Sequence, residues 1–184
     1  MASDNDSYER LRRRILWSIV NGLYLVGSRY DSDRNVMTCS FVTQVATEPK
    51  LVGIGVERES KSANLIEQGG SFTLMFLGRG QKDIVRKFVK PAICDIDKSE
   101  INGYLYQDAP VTKAPILQDI PAFIECSVYT KVDFASHTFF IGEVINAEFV
   151  NTSLDPSYEE AIALDANKVL EVLRMEDTRM HYGG

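Results

Sequence analysis

Six segments of this 184-residue chain carry strand signatures, while only three carry helical ones. Residues 22–29, 36–46, 51–57, 71–77, 123–132 and 138–149 are rich in β-branched and aromatic residues and are bounded by turn residues. A shorter strand is expected over 168–174, and helical spacing is confined to 8–20, 62–68 and 81–89. So many strands with so few helices between them do not make a parallel βαβ sheet; they imply a mainly β fold with flanking helices, an antiparallel sheet wrapped into a barrel. Residues 95–121, with Pro110, Pro115 and Pro121 among several Asp and Gly, read as a long excursion over the surface.

The chain reads as one domain over 1–184, because 45% apolar and 25% charged residues suffice for a single core and no repeat, low-complexity stretch or linker divides it. A net charge of -6 and a pI near 5.0 argue against a general affinity for nucleic acid. Arg10, Arg12, Arg13 and Arg14 are the local exception. They precede Ile15-Leu16-Trp17 and read as the outer face of an amphipathic helix, with membrane or partner contact as the competing reading. Cys39, Cys94 and Cys126 are too widely spaced for a disulfide framework or a metal motif, and reduced thiols fit best. Residues 1–14 lack a signal-peptide pattern and no apolar run is long enough to span a bilayer, so a soluble, cytoplasmic protein is expected.

Chemistry concentrates in residues 35–66. Alternation puts Thr38, Ser40 and Gln44 on one face with Val36 and Val42, and Met37, Cys39, Phe41 and Val45 on the other. After Glu48-Pro49 the run Leu51-Val52-Gly53-Ile54-Gly55-Val56 reads as a buried strand, and Ser60-Lys61-Ser62 then opens a helix. A helix start with unpaired N–H groups, a partial positive charge and a lysine suits a phosphate; the plainer reading is a capped helix with a solvated lysine. Gly53-Ile54-Gly55 is followed by Arg58 where a dinucleotide fingerprint needs glycine, and Gly78-Arg79-Gly80-Gln81-Lys82 lacks P-loop spacing. With only His137 and His181, a multi-histidine metal site is excluded, and no nucleophile-elbow motif supports a hydrolase. Cys39 reads by default as a small buried apolar residue.

The segments Asn35-Val36-Met37-Thr38-Cys39-Ser40, Pro49-Lys50-Leu51-Val52 and Ser60-Lys61-Ser62, in that order, resemble the flavin reductase-like, FMN-binding split-barrel family. The likeness continues through Gly69-Gly70-Ser71-Phe72-Thr73-Leu74-Met75-Phe76-Leu77, Gly80-Gln81-Lys82-Asp83, Phe88-Val89-Lys90-Pro91, Ala114-Pro115-Ile116-Leu117, Pro121-Ala122-Phe123-Ile124-Glu125-Cys126 and Ser136-His137-Thr138-Phe139-Phe140-Ile141-Gly142. It spans about residues 15–150 and leaves 151–184 as a C-terminal extension.

This resemblance implies an antiparallel, Greek-key split β-barrel that binds FMN, or FAD in its place. The ring would lie along Met37, Thr38, Cys39, Ser40, Val45 and Ala46, and the phosphate near Ser60, Lys61 and Ser62, with Gln81, Phe88 and Lys90 closing that end. His137, otherwise a structural histidine at a strand start, would sit near the flavin and meet the nicotinamide of NAD(P)H. A homodimer and a partner oxygenase or other electron acceptor are implied as well. The chain departs from the common family pattern at Cys39, Ala46, Ser62 and Asn64. Three functions follow: an NAD(P)H-dependent flavin reductase, an electron-carrier flavoprotein with tightly held FMN, or a non-catalytic binding module.

Overall fold

A computed structural model describes residues 4–151 and 170–178. In chain order these hold α1 (Asp4–Leu16), β1 (Tyr24–Tyr30), β2 (Asp33–Cys39), β3 (Val42–Thr47), β4 (Lys50–Glu57), α2 (Lys61–Gly69) and β5 (Ser71–Phe76). A short α3 (Lys82–Val85) between two 3-10 turns follows, then β6 (Cys94–Asp95), β7 (Glu100–Ile101), β8 (Tyr104–Asp108), β9 (Pro115–Leu117), β10 (Ala122–Asp133), β11 (His137–Phe149) and α4 (Met175–Thr178).

Seven strands form one antiparallel sheet in the order β2-β1-β5-β10-β11-β4-β3. Its two edge strands are consecutive in the chain and are joined only by Ser40 and Phe41, so the sheet must curl until its edges meet. Covalent chain rather than a hydrogen-bond ladder bridges that seam, which makes the barrel split rather than closed. The strand expected over 36–46 is therefore two strands. Val42 N–H donates to Ser40 C=O at 3.1 Å in a three-residue turn, and Gly55 N–H donates to Phe41 C=O at 2.8 Å, pinning the corner. β4 does not pair with β5; α2 carries the chain across to the β1 side and packs on β1, β2 and β5, a Greek-key crossing.

Alternation along the strands separates two cores. Val26, Cys39, Ile54, Val56, Phe72, Leu74, Cys126 and Phe140 fill the barrel, together with Ala63 and Ile66 of α2. Their strand neighbours Leu25, Val36 and Met75 point outward, beneath Ile84, Val85, Phe88, Ile101, Ile116 and Leu117. The 95–121 segment is thus more than a surface loop, since β6, β7, β8 and β9 make a second sheet whose apolar side helps to cover the barrel wall. Asn102-Gly103 signals it: both have positive φ, 51° and 82°, and they form the two-residue turn between β7 and β8 that Asn-Gly favours.

The helix expected over 8–20 spans Asp4–Leu16, and that expected over 81–89 is split among α3 and its 3-10 turns. Of the strand expected over 168–174, residues 168 and 169 lie outside the described residues, while Val172 and Arg174 make isolated bridges to Gly78 and Gly22. Among the described residues no helix is long and apolar enough to cross a membrane.

Candidate functional site

β2, the β4–α2 connection, the residues after α3 and the start of β11 converge on a cleft of about 420 Å³. That volume is within the span of roughly 300–1,000 Å³ usual for small-molecule sites. Ser60 caps α2, its Oγ accepting from Ala63 N–H at 3.2 Å, and Gly70 closes the helix at φ 64°. Ala63, Leu65 and Ile66 are buried, so the first turn is held against the barrel. The N–H groups of Lys61 and Ser62 come too early to find a partner within the helix, and the helix dipole adds partial positive charge there. Lys61 Nζ lies 2.7 Å from Asp33 Oδ1. Beneath it, buried Asn35 donates from Nδ2 to Ser62 Oγ at 2.8 Å and accepts at Oδ1 from Ala92 N–H at 2.9 Å.

At the other end stands His137, paired with Glu57 across β11 and β4. Its Nδ1 is 2.9 Å from Ser136 Oγ, and its ring centroid is 5.5 Å from that of Phe41, tilted by 56°. Phe41 can approach β4 because residue 55 is glycine: a Cβ there would meet the Phe41 Cβ at 3.0 Å. Gly53 similarly makes room for the ring of Phe139, so the two glycines of β4 serve aromatic packing in a strand.

Ten of the residues expected at a ligand site line this one cleft: Met37, Thr38, Cys39, Ser40, Ser60, Lys61, Ser62, Phe88, Lys90 and His137. Thr38 Oγ1 is committed to Val85 C=O at 2.8 Å, tying β2 to the last residue of α3. Cys39 Sγ sits 3.5 Å from Gly55 O, and burial pushes its thiol up to about 12, so at neutral pH it is a protonated packing group and no nucleophile. Val45 and Ala46 lie on edge strand β3 and do not line the cleft. Gln81 is turned to structural work: its Oε1 accepts from Gly78 N–H and its Nε2 donates to Asp119 C=O.

Asn35, Phe41, Gly55, Glu57 and Glu59 also line the cleft and were not anticipated as site residues. Asn35 had a signal, since asparagine is depleted from strand interiors and a buried one needs a reason. The cleft thus has hydroxyls and ammonium groups at one end, an extended strand for a wall, and two rings at the other. It suits a ligand with an anionic end and a flat apolar body.

Residues 16–170 match the family model described as the flavin reductase like domain. A ferric-chelate reductase (NAD(P)H) of Archaeoglobus fulgidus is 23% identical over 133 residues, 72% of this chain and 78% of that protein. A diflavin flavoprotein of Synechocystis sp. is 27% identical over 129 residues, 70% of this chain; the chain spans less than a quarter of the length of the diflavin flavoproteins it matches. Among solved structures, the NADH:FAD oxidoreductase SgcE6 of Streptomyces globisporus superposes with a TM-score of 0.66 at 24% identity, covering 81% of each chain. BorF, the flavin reductase component of a bacterial two-component tryptophan halogenase, gives 0.66 at 23% identity, covering 78% of this chain and 88% of its own. These structures share the fold, and the match over 16–170 settles the lineage: the chain belongs to the flavin reductase like domain family.

Proposed function

We propose that this protein is a flavin reductase, binding FMN in the cleft beside β2 and using NAD(P)H as hydride donor, with a partner oxygenase or another acceptor taking the electrons. One observation carries the reading: the Ser60-Lys61-Ser62 start of α2 opens into the same cleft as the Met37–Ser40 wall and His137. The donor set fits the cofactor. Ser60, Lys61, Ser62 and Lys90 would hold the phosphate, and the Met37–Ser40 strand would support the ring. When bound, FMN supplies a ring that accepts hydride from a reduced nicotinamide and passes the electrons on. The chain's share is alignment and exclusion of water. Phe41 and His137 offer ring surfaces against which a nicotinamide can stack, and Phe88 packs behind the phosphate end. No acid is assigned to His137, because hydride transfer needs stacking and alignment more than a proton. The names of SgcE6, BorF and the Archaeoglobus protein agree with this reading, and SgcE6 makes FAD the competing flavin.

The exposed apolar residues of α1 support a homodimer, and three free thiols suit a reducing, cytoplasmic setting. The visible spectrum of the purified protein, before and after anaerobic NADH or NADPH and with added FMN or FAD, tests the function. Yellow protein bleached by a reduced nicotinamide, or colourless protein that turns over added flavin, is the expected result. Yellow protein that resists both nicotinamides would indicate an electron carrier, and colourless, inactive protein a binding module.

A further inference from the structure

Asn35 is 3% exposed, lies in the middle of β2, and spans two elements: its amide links β2 to Ala92 on one side and to the start of α2 on the other. The orientation of that amide is set by chemistry. A backbone N–H can only donate, so the Asn35 atom 2.9 Å from Ala92 N is the carbonyl oxygen. The amide nitrogen therefore faces Ser62, and Ser62 Oγ accepts from it at 2.8 Å. Ser62 is 1% exposed, lines the cleft, and among the described residues has no acceptor for its own hydroxyl hydrogen. A buried hydroxyl already accepting from the protein has one useful thing left to do, which is to donate to whatever fills the cleft. Ser60, only partly buried at the cleft's edge, likewise accepts at Oγ from Ala63 N–H.

We propose that Asn35 is a positioning residue that fixes the polarity of the phosphate end: by giving a hydrogen to Ser62 Oγ it obliges Ser62 to present its O–H to the ligand, and so selects a phosphorylated flavin over riboflavin. With Lys61, the start of α2 then turns donors toward the cleft, which suits a phosphate, whose ionised oxygens only accept, better than the terminal hydroxyl of an unphosphorylated flavin, which has no charge to be met and a proton of its own to place. The inference rests on the flavin reading of the cleft.

Asn35→Asp reverses the polarity at constant shape. One carboxylate oxygen still accepts from Ala92 N–H, while the other accepts the Ser62 hydroxyl and draws it out of the cleft. Ser62→Ala removes the same donor without adding charge and leaves the Asn35–Ala92 bond intact. FMN and riboflavin are titrated into wild type, both single variants and the double variant, with melting curves to confirm folding. The expected result is a rise in the FMN Kd of roughly tenfold to a hundredfold in each single variant, with riboflavin changing less than about twofold. The double variant should lose clearly less than the product of the two single losses, because a plain field effect of the new carboxylate would multiply through while an effect acting through Ser62 cannot be lost twice. Retention of the FMN preference by Ser62→Ala overturns the inference, as does an equal loss for riboflavin or a fully multiplicative double variant. Each of these leaves the flavin reading standing. Wild type that binds neither flavin overturns both.

Discussion

At the scale of single residues the site is organised by what its polar atoms are already committed to. Lys61 is one of two full charges offered to a phosphate, yet its ammonium is 2.7 Å from Asp33 Oδ1, so an incoming anion must share or displace that partner. Exposed pairs of this kind contribute about 0–1 kcal/mol. Asp33→Asn should therefore tighten FMN by roughly two- to fivefold at low salt, leave riboflavin unchanged, and have less effect at high ionic strength; isothermal titration at two salt concentrations checks it. The cysteines divide in the same way. Burial pushes the thiols of Cys39 and Cys126 up to about 12, the neighbouring Glu125 carboxylate adding to the effect at Cys126, whereas Cys94 is partly exposed. A thiol-reactive dye at pH 8 should label one site promptly in native protein and three after denaturation, with peptide mapping assigning the first to Cys94. The residues that mark the cleft were legible through the order of the segments that resemble the family, since Ser60-Lys61-Ser62 by itself reads equally well as a capped helix with a solvated lysine, and the Thr38 hydroxyl serves the backbone of Val85. Gln81 escaped that logic: its amide accepts from the Gly78 N–H three residues before it and donates to Asp119 C=O, and the second of these is a tertiary bond that no local spacing announces.

At the scale of elements, the large strands could be read from their alternation, while the joints between them could not. The break at Ser40-Phe41 depends on Gly55, fourteen residues beyond Phe41, donating to the Phe41 carbonyl, so nothing local distinguishes it from a continuing strand. The small sheet of β6 to β9 was hidden by its prolines, although Asn102-Gly103 carried the hairpin signal. Its attachment to the barrel includes a buried carboxylate. Glu125 on β10 accepts from the Val111 and Thr112 N–H groups, the Thr112 hydroxyl and Asn146 Nδ2, gripping the loop that leads into β9. Burial alone would raise its pKa, but these donors together outweigh burial and hold it below the ordinary value of 4.5. A carboxylate with a lowered folded-state pKa contributes stability above the unfolded value, and that contribution is lost as pH falls through the folded-state pKa. Glu125→Gln, which replaces one acceptor with a donor facing N–H groups, should cost about 2–3 kcal/mol at pH 7. The gap in melting temperature between wild type and variant should shrink as the pH is taken below about 4. A gap that is constant from pH 7 to pH 3 would show that the ionised form is not what grips the loop.

For the whole molecule, the unresolved demand is the apolar surface of α1. Tyr8, Leu11 and Ile15 follow one another at helical spacing, and Leu16, Ile19 and Val20 continue the patch, each at least half exposed. Arg10, Arg13 and Arg14 lie on the opposite side of the helix, while Arg12 sits over the Tyr8 ring, 5.8 Å from its centroid, and pairs with Glu9, in a protein whose net charge is -6. The arginines and the apolar residues were both visible in the sequence; that the barrel leaves the apolar side open was not, because coverage is decided by how the sheet curls. A patch of this length costs free energy in water, and a second copy of the chain offers both apolar area and acidic surface to receive the arginines. Sedimentation equilibrium should therefore find a dimer at micromolar concentration. Leu11→Asp combined with Ile15→Asp should give a monomer that keeps its melting temperature within a few degrees, since neither side chain belongs to either core. If the wild type is monomeric throughout and instead sediments with anionic vesicles, the patch is a membrane-facing surface and the homodimer is wrong. A dimer that survives both substitutions would place the interface elsewhere on the barrel and leave α1 without a role in assembly.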